Sequence, residues 1–419
     1  MHVESWLSRA ARSTPNQLAV GELSYAELLS RATALASVLG PGTRVGIDLP
    51  PGVPFAVALH ACMLAGAIAV PIDLRSPEQD WPDVDHLIAD LAPGDEDGAA
   101  PSQRTTHDLD AVAAIVRTSG SSGSPKEVAL TYGNFLWSAL GSAVALGAPP
   151  SERWLSAMPL THVGGLSILM RSVIYGTEAV VMPAWDTDRV LSTLRDPAGP
   201  TAISLVPTTL KRLVDAGLER PPSLRFALLG GAPIPPALLQ DARAADIPVV
   251  PTYGLTESCS QAATAGRPLF CSPISLADDG EVLVGGPTVA PHARSSDGLL
   301  HTGDLGEFRD GLLTITGRKS SLVISGGENV SPERVEAVLE RHPAIAEAAV
   351  FGEPDPQWGE RVVAIVVPRD GAAIDAENVQ SHCADALAPY ERPKSIEVRT
   401  EPLPRTASGK LMRHRIKGT

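Results

Sequence analysis

The chain has 419 residues, 44% hydrophobic and 20% charged, with a formal charge of −14. That length allows two or three domains and a sizeable core. The acidic balance argues against nucleic acid as a main partner, since phosphate-backbone binding rests on basic surface. It leaves room for a nucleotide, which needs only a local electropositive pocket.

The four cysteines, Cys62, Cys259, Cys271 and Cys383, form no CxxC pair, so neither a zinc knuckle nor a disulfide frame is indicated. Reduced thiols and a cytoplasmic location are the expectation. The first dozen residues lack the long apolar core of a signal peptide. Segment 53–70 is apolar but Ala-rich, contains His60 and is bracketed by Pro54 and Pro71. It reads as a buried helix followed by a strand over 67–72, not as a membrane span.

In chain order, residues 3–40 read as helical segments around a short turn, with Ser24 and Glu27 spaced as a capping box. Residues 44–49 read as a strand. Residues 76–108 are acidic and poorly periodic, and are expected to form a surface connection. Residues 113–116 form a short buried strand, and Thr131 is placed to cap a helix over 132–146. Residues 153–159 are strand-like, and a helix runs on to about 175. Further strands fall at 179–182, 201–206, 226–229 and 249–252, each bounded by turn residues. This alternation predicts a largely parallel sheet covered on both faces.

From 265 to 316, short runs with Gly and Pro turns predict a small β-rich subdomain. Beyond Gly317 come a helix at 331–341, strands at 346–351 and 361–367, a helix at 375–388 and a strand at 395–399. The fold class is therefore α/β: a large N-terminal domain of parallel-type sheets with helices (1–320) and a small α+β C-terminal domain (321–419).

The stretch Thr118-Ser119-Gly120-Ser121-Ser122-Gly123-Ser124-Pro125-Lys126 leaves a strand and collects hydroxyls, glycines and one ammonium. Clustered backbone N–H groups, close approach at glycine and a cation are what a polyphosphate needs. A Gly/Ser linker is the bland alternative, but an apolar segment resumes directly after Pro-Lys. The spacing is not that of a Walker loop, which has four residues between its glycines and Gly-Lys-Ser/Thr at its end.

Tyr253-Gly254-Leu255-Thr256-Glu257 follows a strand and puts a hydroxyl and a carboxylate where α/β sheets bind ligands. A carboxylate beside a polyphosphate calls for a cation, which makes Glu257 a Mg²⁺ candidate; a turn before a capped helix is the alternative. Asp304, on a Gly-Asp turn, suits a ribose diol or simply an ordinary turn. Arg318 is a donor to the same sugar or a surface arginine. Gly230, Gly231 and Ala232 suit the face of a base or a tight turn. Lys410, in Pro404-Arg405-Thr406-Ala407-Ser408-Gly409-Lys410, is a point charge able to reach a buried anion, or part of a basic tail.

Taken together and in this order, with Ser325-Gly326-Gly327-Glu328-Asn329 between them, these motifs resemble the adenylate-forming superfamily over essentially the whole chain. That superfamily includes acyl-CoA and aryl-CoA synthetases, adenylation domains and luciferases. The resemblance implies ATP, Mg²⁺ and CoA. A carboxylate attacks the α-phosphate of ATP, pyrophosphate leaves, and a thiol then displaces AMP from the acyl-adenylate.

By motif, Thr118, Ser119, Gly120, Ser121, Ser122, Gly123 and Lys126 hold phosphate, Thr256 touches phosphate oxygen and Glu257 holds Mg²⁺. Asp304 and Arg318 take the ribose. Gly230, Gly231, Ala232, Tyr253 and Gly254 flank the nucleotide. Lys410 bridges the acid and the α-phosphate. The C-terminal domain rotates between the two half-reactions, withdrawing Lys410 and bringing Gly326 and Gly327 to a pantetheine channel. Ser320 stands at the hinge where many relatives have Asp or Lys, and Glu127 stands where many have Gly.

The wording of residues 159–176, 224–231 and 256–261 is similar to the o-succinylbenzoate–CoA ligases of menaquinone biosynthesis. Their acid keeps one carboxylate free after activation, and a buried carboxylate needs donors or a cation. His162, Arg171, Ser258 and Ser260 are the candidates. Arg171 reads equally as a helix-surface arginine, and His162 equally as a gate to the acyl pocket. The competing expectations are another acyl-CoA or aryl-CoA ligase, a freestanding adenylation domain loading a carrier protein, and a non-catalytic binding homologue. A homodimer is allowed but not required.

Overall fold

The computed structural model describes residues 1–73, 81–91, 104–118, 126–405 and 411–416. The carboxyl ends of parallel strands position the site. Five such strands run side by side in the larger sheet: Val249–Tyr253, Phe226–Leu229, Ala202–Leu205, Arg153–Ser156 and Glu178–Val181. Leu18–Val20 continues the parallel run, and short antiparallel strands close both edges. The strands Phe226–Leu229 and Ala202–Leu205 are buried at every position, as their mostly apolar sequences require.

A second sheet takes the order His86–Ile88, Arg44–Ile47, Ile68–Pro71, Val112–Thr118 and Lys126–Thr131. It is parallel except for its last pair, which is antiparallel. Two sequence expectations are corrected here. Residues 76–108 are not merely a surface connection: His86–Ile88 joins this sheet, and Thr106–Asp108 pairs with the N-terminal strand His2–Glu4. Residues 3–40 hold short strands as well as the helices Trp6–Ser13 and Tyr25–Ala36.

The helix Val53–Ala65 is apolar all round and almost wholly buried between elements. Among the described residues no helix is long and apolar enough to cross a membrane. Thr131 and Asn134 form a reciprocal capping box at the helix Tyr132–Leu146: Thr131 N donates to Asn134 Oδ1 at 2.9 Å, and Asn134 N to Thr131 Oγ1 at 3.1 Å. The same Asn134 donates through Nδ2 to the carbonyls of Pro287 and Val289 at 2.9 and 3.1 Å. One side chain thus starts a helix and fixes the loop that backs the site.

The β-rich part is a four-stranded antiparallel sheet, Ile274–Leu276, Glu281–Val284, Leu300–Arg309 and Leu312–Arg318. The C-terminal part packs the helices Pro332–Leu339 and Ala376–Ala386 on a mixed sheet whose longest strands are Ile345–Asp355 and Gly359–Pro368. Its link to the rest includes Ser331 Oγ, which donates to Thr316 O at 2.7 Å.

Candidate active site

The strands Phe226–Leu229 and Val249–Tyr253 end side by side, so Gly230 and the segment after Tyr253 meet at one edge. There is no room for a side chain at Gly230, where a Cβ would lie 2.7 Å from Thr252 Cγ2. Gly254 is more constrained: a Cβ there would fall 1.6 Å from the carbonyl oxygen of Ser260. The loop folds back on itself through this contact. Cys259 and Ser260 pay for the reversal with positive φ of 54° and 86°, which side-chain-bearing residues rarely adopt.

Thr256–Ser258 is a single 3-10 turn. The Ser258 hydroxyl is committed to this turn, accepting from Leu255 N at 3.0 Å and donating to Leu255 O at 3.1 Å in full burial. Ser258 therefore shapes the loop. Thr256 and Glu257 are half-buried, and Ala290 N donates to the Glu257 carbonyl at 2.8 Å. No cation pairs with the Glu257 carboxylate among the described residues. A half-buried oxygen donor lacking a cation suits a hard divalent ion that completes its shell with water and phosphate.

Asp304, Tyr253 and Arg318 meet in one cluster. Tyr253 Oη donates to Asp304 Oδ2 at 2.9 Å, and Arg318 Nε donates to Asp304 Oδ1. Asp304 and Arg318 are directly paired across antiparallel strands. Burial, then the Asp304 charge, raises the Tyr253 phenol above its ordinary range. Asp304 is 6% exposed, so the group on offer to a ligand is a preorganised carboxylate with both oxygens already engaged.

Lys126 begins the strand Lys126–Thr131 opposite Thr118 and is exposed. This strand runs beside the Thr256–Ser258 turn that carries Glu257. Glu127 pairs with Arg44 at 2.7 Å, away from the turn. Ser119, Gly120, Ser121, Ser122, Gly123 and Lys410 lie outside the described residues.

The structure places Arg171 in the interior. It projects from the helix Val163–Tyr175 and is 2% exposed, so it is not a helix-surface residue. Its guanidinium lies 5.4 Å from the Trp154 ring centre, with Nη2 at 3.4 Å from Ser260 Oγ and 3.5 Å from Ser138 Oγ. Its Nε has no hydrogen-bond partner and no carboxylate pairs with it among the described residues. Burial pulls its pKa below the ordinary arginine value.

Trp154 and Ser138 were not singled out from the sequence. Ser138 also donates to Cys259 O at 2.7 Å, tying the strained loop to the helix Tyr132–Leu146. No local motif marks either residue, because their partners are distant in sequence. His162 is the half-buried cap of the helix Val163–Tyr175 and makes no side-chain capping bond.

Gly326 and Gly327, both at positive φ, form the turn between Val323–Ser325 and Glu328–Val330. A Cβ on Gly326 would meet the Trp358 ring at 2.8 Å. Ser320 follows Lys319, whose ammonium is held by Asp279 at 2.5 Å and Glu281 at 3.0 Å.

The AMP-binding enzyme family model matches residues 7–91 and 82–292, and the AMP-binding enzyme C-terminal domain matches 334–410. The chain is 36% identical to a 2-succinylbenzoate–CoA ligase from Bacillus licheniformis, over 98% of this chain and 99% of the relative. Among solved structures, o-succinylbenzoate coenzyme A synthetase from Bacillus subtilis with the acyl-adenylate intermediate OSB-AMP gives a TM-score of 0.88 at 33% identity, covering 100% and 99% of the two chains. The same enzyme with ATP and magnesium ion gives 0.88 at 32% identity and full coverage of both chains. On the match to most of its length and on these full-length relatives, the chain belongs to the AMP-binding enzyme family.

Proposed function

We propose that the chain is an ATP-dependent acid–thiol ligase acting on 2-succinylbenzoate and CoA. The observation that carries the substrate assignment is Arg171, a buried guanidinium with no acidic partner among the described residues. Burying such a charge costs several kcal/mol, in order of magnitude, unless a partner compensates it. A substrate with a second, unreacted carboxylate supplies that partner, and Ser138 and Ser260 stand within reach of the same group. The names of the relatives support the same acid.

In the first step an oxygen of the succinyl carboxylate attacks the α-phosphorus of ATP, and the bond from that phosphorus to the bridging oxygen breaks to release pyrophosphate. In the second, the CoA sulfur attacks the acyl carbon. The bond to the AMP oxygen breaks, and the thiol proton is lost to solvent. Catalysis of this kind rests on positioning and on stabilising developing charge. Asp304, held by Tyr253 and Arg318, orients the ribose. Thr256 and Lys126 meet phosphate oxygens, and Gly230, Gly231 and Ala232 with Tyr253 flank the base. Lys410 carries the charge that bridges acid and α-phosphate. Mg²⁺ would be held by Glu257 and would neutralise phosphate charge. The division at residue 320 separates the lobe holding the nucleotide from the lobe carrying Lys410.

The test is pyrophosphate release across aromatic and aliphatic acids, with and without CoA. 2-Succinylbenzoate should give the highest kcat/KM, and CoA should convert the adenylate to a thioester. A preference for a monocarboxylic acid, or an adenylate that CoA cannot discharge, would overturn the assignment.

A further inference from the structure

The C-terminal tail is fastened to its lobe on both sides of residues 406–410. On the near side Arg405 bridges antiparallel to Leu411 and reaches Glu347 at 3.5 Å, while Met412 N donates to Pro404 O at 2.9 Å. On the far side Arg413 is sunk against the helix Pro332–Leu339. Its Nη1 donates to Glu336 Oε1 and, at 2.7 Å, to Val350 O. Its Nη2 donates to Glu336 Oε2 at 3.0 Å and to Glu333 Oε1 at 3.1 Å. Glu336 is 8% exposed and also accepts from Val350 N at 2.7 Å.

Burying this much charge is a poor route to stability, because desolvation offsets most of the attraction and apolar residues fill space as well. What a two-pronged arginine–carboxylate pair adds is direction: the planar fork accepts one orientation. Here the fork sits three residues after Lys410. The network also continues toward the nucleotide side. Glu333 Oε2 accepts from Ser331 Oγ at 3.2 Å, and Ser331 Oγ lies 2.7 Å from Thr316 O, two residues before the Arg318 that holds Asp304.

We propose that Arg413 is a positioning residue for the acid-activating step, setting through Glu336 and Glu333 the path of the chain that carries Lys410. This rests on the reading of Lys410 as the lysine of that step. The clasp lies within the C-terminal lobe, and the Gly326-Gly327 turn is held separately from it, Gly326 N donating to Trp358 O at 2.7 Å, so thioester formation from a preformed adenylate is expected not to need it.

The experiment uses the full chain with Arg413→Lys, the paired variant Arg413→Met with Glu336→Gln, and Lys410→Ala. Pyrophosphate release from acid and ATP is measured beside thioester formation from a supplied acyl-adenylate and CoA. The paired variant should lose about 100-fold in kcat for pyrophosphate release, the scale of a small misplacement of a reacting group, with KM values nearly unchanged. Thioester formation should be retained, which also reports that the variant is folded. Arg413→Lys, which keeps the charge without the fork, should recover part of the loss.

Equal loss in both half-reactions, or full pyrophosphate release in both Arg413 variants, overturns the proposal. If Lys410→Ala itself leaves pyrophosphate release intact, the reading of Lys410 falls and the proposal with it. If Lys410→Ala abolishes release while the Arg413 variants do not, only the positioning role falls.

Discussion

The guanidinium of Arg171 rests against the ring of Trp154, 5.4 Å from its centre, and draws no carboxylate from the protein among the described residues. A cation–aromatic contact offsets only part of the desolvation of such a group. On the proposed reading, the free carboxylate of the acid offsets the cost of burying this charge. Replacing Arg171 with Ala should reduce kcat/KM for 2-succinylbenzoate by roughly 10- to 100-fold, the range of a lost charged hydrogen bond. A monocarboxylate aryl acid should be affected far less. Parallel kinetics on the two acids check this; unchanged discrimination removes Arg171 from the acid pocket. Arg171→Met, which keeps volume and drops the charge, should raise the melting temperature of the unliganded protein even as it lowers activity.

Asp304 joins a different pair of donors, Tyr253 from the parallel sheet and Arg318 from the β-rich sheet. Asp304→Asn keeps the shape but weakens both bonds and leaves Arg318 short of a countercharge. The KM for ATP should rise about 10-fold, with a smaller change in kcat, because the interaction is present in bound and reacting states alike. Tyr253→Phe removes one hydrogen bond and should have an effect of a few-fold only. Initial-rate measurements over an ATP series separate the two. A kcat loss at constant KM would move Asp304 out of nucleotide binding.

Glu257 makes no salt bridge among the described residues, and this gives a metal-removal prediction. Chelation should abolish pyrophosphate release without unfolding the protein, and added Mg²⁺ should restore it. Glu257→Gln should raise the Mg²⁺ concentration needed for half-maximal rate at least several-fold, since an amide oxygen is a poorer hard-ion ligand than a carboxylate. An unaltered Mg²⁺ dependence would assign the ion elsewhere.

What the sequence could show depended on how local each cause was. The helix Tyr132–Leu146 was legible to the residue because Thr131 and Asn134 cap it within one turn. The buried strands declared themselves by composition. The strand Thr106–Asp108 did not, since its pairing among the described residues is with His2–Glu4 at the far end of the chain and no local periodicity records it. In the site, ordered motifs marked Tyr253, Asp304 and Arg318. Ser258 shows why spacing alone is not decisive: its hydroxyl bonds the Leu255 backbone, and a hydroxyl serves a turn as readily as a ligand. Trp154 and Ser138 became visible only when the helix carrying Arg171 was packed against their elements.

His107 ties folding to pH. It is buried against Trp6 and stacked on Tyr132 with ring centres 4.4 Å apart, and its Nε2 accepts from Trp6 N at 3.3 Å. Burial, with the neighbouring His60 and Arg104 charges adding to it, pulls its pKa down to about 4. Protonation would convert the acceptor into a donor facing another donor, inside an apolar cluster. The folded pKa is depressed below the unfolded value, so the stabilisation is fully present above about pH 6.5 and is lost as pH falls toward 4. His60, buried in the helix Val53–Ala65 and also drawn down to about 4, contributes in the same direction. Thermal melting should therefore fall steadily between pH 6.5 and 4, in addition to any loss from carboxylates at the acid end. His107→Gln keeps an acceptor within reach of Trp6 N but does not titrate, so it should flatten part of that slope while leaving the melting temperature at pH 7.5 nearer to the parent. A slope unchanged by the substitution would show that His107 is not a group whose protonation unfolds the N-terminal packing.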